Sequence, residues 1–208
     1  MTAPSETLVG IVDDDPSVRK ALARLVKAAG YRVEVFRSAR EFLARPQEED
    51  LRCLLLDVRM PGLTGLELQE ALAIAGRRMS IVFISGHGDI VGSVKAMKGG
   101  AIDFLTKPID VKELLGAIER AVTKALTIQR EQAQATDVQG RLQTLTAREV
   151  QVFALVVTGM LNKHIAAELG VVEKTVKVHR ARVMEKMRAG SLAELVRLAD
   201  RAGIIAKP

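Results

Sequence analysis

The chain has no tryptophan, and aromatic residues make up only 3% of its 208 positions, so it has little with which to stack the bases of a single-stranded nucleic acid. Its one cysteine, Cys53, excludes an internal disulfide and a cysteine zinc site. Lying in the apolar run CLLLDV, it reads as a reduced, buried small hydrophobe. No run reaches the roughly 18 consecutive apolar residues of a membrane span. The opening MTAPSET has neither the basic nor the apolar region of a signal peptide. A cytoplasmic protein with no membrane partner is expected. Internal repeats are also missing. What the chain does have is apolar content, 48%, enough for one large globular domain or two modest ones.

Charge is spread unevenly. Residues 1–140 contain 19 Lys and Arg against 19 Asp and Glu, whereas residues 141–208 contain 12 against 6 and so carry the whole net charge of +6. A basic segment of this size suits a polyanion, and with stacking side chains so few, double-stranded DNA fits best.

The first part alternates short apolar runs with amphipathic segments: LVGIV, RVEVF, CLLLD, SIVFIS and AIDFLT, each followed by a helical pattern. Five strands each trailed by a helix predict an α/β domain over residues 1–126, a five-stranded parallel sheet covered on both faces. Residues 127–143 are polar and Gln-rich, a helical linker in which the helix starting near 110 runs well past 126 before breaking. Residues 144–208 show only short helices with tight turns. They include two Ser/Thr-x-x-Glu capping boxes, Thr146 to Glu149 and Ser191 to Glu194, and read as a helix-turn-helix domain.

In parallel sheets, ligands sit beyond the carboxyl ends of the strands. The residues there are Asp13, Asp14 and Asp15 after the first strand, Asp57 after the third, Ser85 after the fourth and Lys107 after the fifth. Carboxylates brought together repel and raise one another's pKa unless a cation joins them. An oxygen-only cluster with one Lys favours Mg²⁺. Asp15, standing before Pro16, is placed to cap the following helix. Simple turn acids would account for Asp13 and Asp14 alone, but not for Asp57, Ser85 and Lys107 at matching strand ends.

IVDDD, LLLDVRMPGLTGLEL, VFISGHGD and AIDFLTKP, in this order and spacing, closely resemble the receiver domain of two-component response regulators, of flavodoxin-like (βα)5 fold. The resemblance implies that Asp57 accepts a phosphoryl group from a sensor histidine kinase or a small phosphodonor. Asp13, Asp14, Asp57 and the backbone carbonyl of Arg59 would hold Mg²⁺. Lys107 would supply electrostatic stabilisation and Ser85 a hydrogen bond to the phosphoryl group. Lys107 and Pro108 resemble the family's Lys-Pro pair, commonly joined by a cis peptide. Phe104 falls at the aromatic switch position, although a plain core aromatic would read the same. In the FixJ-like branch the face made here by residues 89–106 dimerises on phosphorylation, which would put Val94, Lys98 and Asp103 at the contact; ordinary surface residues are the alternative. Ile109 departs from the frequent Phe, and Gly92, Gly99 and Gly100 depart from the usual composition, predicting a loosened segment over 88–100.

The segment EKTVKVHRARVMEKMR (173–188) places Val176, Val183 and Met187 on one helical face, leaving cations beside small side chains on the other. Such a surface can enter a major groove, although a solvated basic face would share its charge. NKHIAAELGVVEKTVKVHRARVMEK followed by SLAELVRLA closely resembles the LuxR-type helix-turn-helix, and the two modules together resemble the NarL/FixJ subfamily of transcription factors. The resemblance makes 162–169 the supporting helix, 173–188 the recognition helix and 191–203 a helix that often helps dimerise. Lys177, Val178 and Ala181 are then expected at base edges, and Asn162, Lys163, Lys174, Thr175, His179, Arg180 and Arg182 mainly at phosphates. Val172 stands where a capping Ser is usual, so the recognition helix is expected to fray at its start without DNA. His87, His164 and His179 show no metal-ligand spacing.

The expected function is a phosphorylation-activated transcription regulator with a kinase, an operator, a second copy of itself and RNA polymerase as partners. An aspartate nucleophile with Mg²⁺ also serves phosphohydrolases. Here, however, no second general acid, lid or substrate-sized insertion is found, so no enzyme activity is expected beyond slow self-dephosphorylation of Asp57. A receiver serving only as a dimerisation platform is the third reading, disfavoured by the full set Asp14, Asp57, Ser85 and Lys107.

Overall fold

The computed structural model describes residues 7–46, 51–77, 79–86 and 90–203. Five apolar runs form strands: β1 (Leu8–Val12), β2 (Arg32–Phe36), β3 (Leu51–Asp57), β4 (Ile81–Ser85) and β5 (Asp103–Thr106). They pair in parallel in the order β2-β1-β3-β4-β5. Helices α1 (Pro16–Ala28), α2 (Ala39–Ala44), α3 (Gly65–Ile74), α4 (Ile90–Lys98) and α5 (Val111–Gln143) follow the strands in turn. Beyond them come α6 (Ala147–Val156), α7 (Asn162–Glu168), α8 (Glu173–Lys186) and α9 (Leu192–Arg201). The chain divides into two units, residues 1–128 and 129–208.

Successive strand side chains point to opposite faces, so each inner strand feeds two cores. On one face Leu8, Val12, Leu54, Leu56 and Phe83 join Phe42, Leu68, Leu72 and Ala96 from the helices. On the other, Val9, Ile11, Cys53, Leu55, Val82 and Ile84 join Leu22, Val26, Leu114 and Ile118. Burying each large apolar side chain stabilises the fold by roughly 1.5–3 kcal/mol. Cys53 lies wholly inside the second of these cores, where burial pushes its thiol pKa well up and keeps it inert. Gly10 lies within β1, where an added Cβ would come within 2.9 Å of the end of the Leu54 side chain.

The two glycines after α4 answer to particular neighbours and backbone angles. A Cβ on Gly99 would meet the Gln69 side-chain oxygen at 2.6 Å. That buried amide donates to the Ala96 carbonyl at 3.1 Å and ties α3 to the last turn of α4. Gly100 adopts φ +88°, the left-handed region that favours glycine. His87 and Asp89 lie outside the described residues.

In the second unit, Val138 and Leu142 near the end of α5 pack with Val152, Phe153, Ile165, Val176, Val183, Met187 and Leu195. The helix therefore continues through Gly140, and Arg141 Nη1 donates to the Met187 carbonyl at 2.9 Å. Thr146 and Glu149 form a complete capping box at the start of α6. The second expected box is only half made: Ser191 Oγ accepts from the Glu194 N–H, but the Glu194 carboxylate reaches back one residue further, to the Gly190 N–H. No side chain caps α8 at Val172, in line with the missing Ser. No helix among the described residues is long and apolar enough to cross a membrane.

The polar centre of this unit is Glu149, 2% exposed, whose Oε2 accepts from Lys186 Nζ at 2.6 Å. Lys186 also donates to the Thr144 carbonyl at 2.9 Å. The Lys186 hydrogen bond, followed by the Thr146 N–H, holds the Glu149 carboxyl down to about 2. A carboxylate with a depressed folded pKa contributes stability that is full above its ordinary value near 4.5 and is lost as pH falls through about 2. Glu149→Gln is therefore expected to lower the urea midpoint of this unit at pH 7 and to lose less of it between pH 5 and pH 2. Circular dichroism at matched pH values checks this; two curves that stay parallel down to pH 2 would contradict it.

Candidate functional site

β1 ends where the buried strand must turn into α1, and three consecutive aspartates divide the work. Asp15 caps the helix, its Oδ1 accepting from the Ser17 N–H at 2.7 Å and from the Val18 N–H at 3.4 Å, and these bonds lower its pKa. Asp13, 1% exposed, turns inward. Its Oδ1 accepts from the Asp15 N–H at 2.8 Å, its Oδ2 from Lys107 Nζ at 2.9 Å, and its carbonyl from Arg19 Nη1 at 2.6 Å. Asp14 lies exposed between them.

The sheet order places the ends of β1 and β3 side by side, so Asp57 comes to the same crevice. It is 6% exposed, with Oδ1 accepting from Lys107 Nζ at 2.8 Å and Oδ2 from the Arg59 N–H at 2.7 Å. Burial pushes the Asp57 carboxyl above its ordinary value, while Lys107 and the Arg59 N–H pull it back and Asp13 adds to the rise. Burial alone would pull the Lys107 ammonium down, but its bonds to Asp57 and Asp13 together hold it above the ordinary lysine value. The ammonium is therefore charged at neutral pH, the shared counter-ion of two carboxylates.

Ser85 ends β4, buried, and its carbonyl accepts the Lys107 N–H at 2.7 Å, which fixes where the chain turns after β5. The peptide between Lys107 and Pro108 is cis. Phe104 is half-buried on β5, its ring 6.2 Å from that of Phe83. Among the described residues no three acidic, His or Cys side chains close into a preformed metal cage. Mg²⁺ needs none, since it keeps several waters and takes one or two carboxylates. The oxygen-only set of Asp13, Asp14, Asp57 and the Arg59 carbonyl suits such an ion.

Of the residues expected at a dimer contact, Val94 and Lys98 are exposed on α4. Asp103 is already engaged: Oδ1 accepts from the Phe104 N–H at 2.8 Å, and Oδ2 pairs with Arg120 of α5. α4 also exposes Ile90 (78%), Val91 (80%) and Met97 (47%), an apolar row around Val94 that the sequence reading passed over.

In the second unit Val176, Val183 and Met187 are fully buried, and Lys174, Lys177, Val178, Ala181 and Arg182 face solvent on α8. Lys163 is exposed on α7, and Thr175 is half-buried. Not every expected DNA contact is free: Arg180 Nη1 donates to Asn162 Oδ1 at 3.0 Å, clamping α8 to the start of α7, and Lys177 pairs with Glu173 at 3.1 Å. His179 is half-buried with Nδ1 unpartnered, whereas His164 is exposed.

Sequence reasoning missed Gly65. A Cβ at this first residue of α3 would meet the Asp57 carbonyl oxygen at 2.2 Å, so only glycine lets the helix start against the end of β3. The signal was present in GLTGLEL, directly after the Thr64 that caps α3.

A buried aspartate and a lysine at the strand ends of a (βα)5 sheet, followed by a basic helix-turn-helix, define a receiver coupled to a DNA-binding module. Family models agree in both halves: residues 9–119 match the response regulator receiver domain, and residues 143–199 match the bacterial regulatory proteins of the luxR family. The chain belongs to the response regulators that carry a LuxR-type module. It is 45% identical over 204 residues to nodulation protein W of Bradyrhizobium diazoefficiens, covering 98% of this chain and 90% of that protein. It is 43% identical to the transcriptional regulatory protein FixJ of Rhizobium meliloti, covering 94% and 96% of the two chains. Among solved structures, the response regulator StyR aligns with a TM-score of 0.83 at 44% identity, covering 94% of this chain and 99% of that one. Full-length FixJ from B. japonicum aligns at 0.57 with 39% identity, covering 97% and 100%.

Gly65→Ala tests the close approach at Asp57. The added methyl forces α3 or the Asp57 backbone to move, which is expected to lower stability by about 1–3 kcal/mol and to slow phosphorylation by acetyl phosphate about tenfold or more. Thermal unfolding and phosphorylation kinetics of the full chain check this, and a variant matching the parent in both would contradict it.

Proposed function

We propose that Asp57 is the phosphoryl acceptor, and that its phosphorylation by a sensor histidine kinase drives dimerisation through α4 and β5 and promotes operator binding by α8. The observation that carries this reading is the Lys107 ammonium between Asp57 and Asp13, at 2.8 and 2.9 Å. The residues do the following work. The Arg59 N–H holds one Asp57 oxygen while the other attacks phosphorus; that P–O bond forms as the bond from phosphorus to the donor histidine nitrogen breaks, and the imidazole leaves. Lys107 transfers its hydrogen bond from Asp57 to a phosphoryl oxygen, and Ser85 donates to another. Asp13, Asp14, Asp57 and the Arg59 carbonyl would hold Mg²⁺, which would supply further charge neutralisation. Water slowly reverses the modification, which makes the chain a timed switch.

Phosphorylation adds about 1.5–2 negative charges to the crevice. Drawing Ser85 toward them opens space for Phe104 to turn inward, and β5 carries the change to Asp103 and the apolar row of α4. An exposed row of this kind suits self-association. On α8, Lys177, Val178 and Ala181 read base edges, while Asn162, Lys163, Lys174, Thr175, His179, Arg180 and Arg182 serve the backbone. Lys177 exchanges Glu173 for DNA, and Asn162 with Arg180 sets the angle between α7 and α8. The DNA-bound dimer then recruits RNA polymerase in the cytoplasm.

Sedimentation velocity of the full chain with Mg²⁺, with and without beryllofluoride as a mimic of the aspartyl phosphate, tests this. A shift from monomer to dimer is expected in the parent, absent in Asp57→Asn, and absent in Val94→Asp although that variant still takes up phosphate. No shift in a chain shown to bind beryllofluoride would contradict the dimer switch.

A further inference from the structure

We propose that Arg19 is a positioning residue for the cation site, holding Asp14 in the direction from which its carboxylate meets Mg²⁺. This rests on the reading of Asp13, Asp14 and Asp57 as the cation's carboxylates. Asp14 is exposed, and its side chain has no hydrogen bond or ion pair among the described residues. With no side-chain partner to orient the carboxylate, what the fold fixes at Asp14 is the direction of its Cβ.

The Asp14 backbone is fixed from both sides. The peptide before Asp14 carries the Asp13 carbonyl, which accepts from Arg19 Nη1 at 2.6 Å. The peptide after it carries the Asp15 N–H, which donates to Asp13 Oδ1 at 2.8 Å. Peptide groups are planar, so holding both planes leaves the Asp14 Cα little freedom and aims its Cβ. The second bond comes from within the acidic run. The first depends wholly on Arg19, a half-buried side chain one turn into α1.

The placement of Arg19 supports a role outside its own helix. A cation in the first turn opposes the helix dipole, and α1 has no acidic residue there to offset it. Arg19 forms no ion pair among the described residues, so neither helix stability nor a salt bridge accounts for its position. Its guanidinium serves the Asp13 carbonyl instead. Groups that orient metal ligands typically change metal affinity by about 10–100-fold when removed.

The test is isothermal titration of the full chain with Mg²⁺, comparing the parent with Arg19→Ala, Arg19→Lys and, as a benchmark for the site, Asp14→Asn. Charge and positioning predict opposite signs: removing a cation beside the acids would tighten Mg²⁺ binding, whereas releasing the peptide would weaken it. Arg19→Ala is expected to weaken binding about tenfold, Arg19→Lys to recover part of this through its ammonium group, and saturating Mg²⁺ to restore the rate of phosphorylation by acetyl phosphate. Circular dichroism confirms folding, and if the alanine variant fails to fold, Arg19→Gln replaces it as the neutral comparison. Weakened binding in Asp14→Asn with unchanged or tighter binding in Arg19→Ala overturns the Arg19 proposal alone. Unchanged binding in Asp14→Asn overturns the acidic cation site and the Arg19 proposal with it.

Discussion

One ammonium shared by two buried carboxylates governs the first unit. Lys107 reaches both Asp13 and Asp57, and without it two like charges would face each other at the edge of the sheet core. Breaking a buried pair by removing one partner costs about 3–5 kcal/mol, so the strand ends must meet in register and the chain must leave β5 where Ser85 receives the Lys107 N–H. The same arrangement leaves the site responsive. A phosphoryl group on Asp57, as proposed, would compete for Lys107 and for the bonds anchored to that ammonium.

The elements beside the crevice are held by specific side-chain bonds. Asp103 accepts from the Phe104 N–H with one oxygen and pairs with Arg120 through the other, which links β5 to α5. Gln69 ties α3 to α4 through the Ala96 carbonyl. In the second unit Glu149 and Lys186 join the start of α6 to the end of α8, and Arg141 joins the end of α5 to the carbonyl after α8. Helix α8 is thus fixed at its C-terminal end and has no side-chain cap at its N-terminal end.

Much of this was legible in the sequence because it rests on periodicity and on local chemistry. The near-continuous apolar runs of β1, β3 and β4 announce a sheet buried on both faces, and Asp15 before Pro16 announces a helix start. The strand-end positions of Asp13, Asp57, Ser85 and Lys107 define a crevice once the strands are parallel. What escaped depends on contacts distant in the chain. Gly10 and Gly65 answer to Leu54 and to the Asp57 carbonyl, and Gly99 to the Gln69 amide; no local pattern reveals such neighbours. The Glu149 to Lys186 pair spans two helices, and the Arg19 bond needs the turn after β1 to be built before a carbonyl is within reach. At Ser191 the motif was right in composition, yet the carboxylate found the adjacent N–H of Gly190 instead.

The account stands or falls on where the phosphoryl group goes. The most direct measurement is to phosphorylate the full chain with acetyl phosphate and Mg²⁺, reduce the acyl phosphate with borohydride, and locate the modified residue by peptide mass spectrometry. Reduction at Asp57 alone, abolished by removing Mg²⁺ and strongly diminished in Lys107→Ala, is the predicted result. Modification elsewhere in the chain, or at Asp57 to the same extent without Lys107, would contradict the site as described.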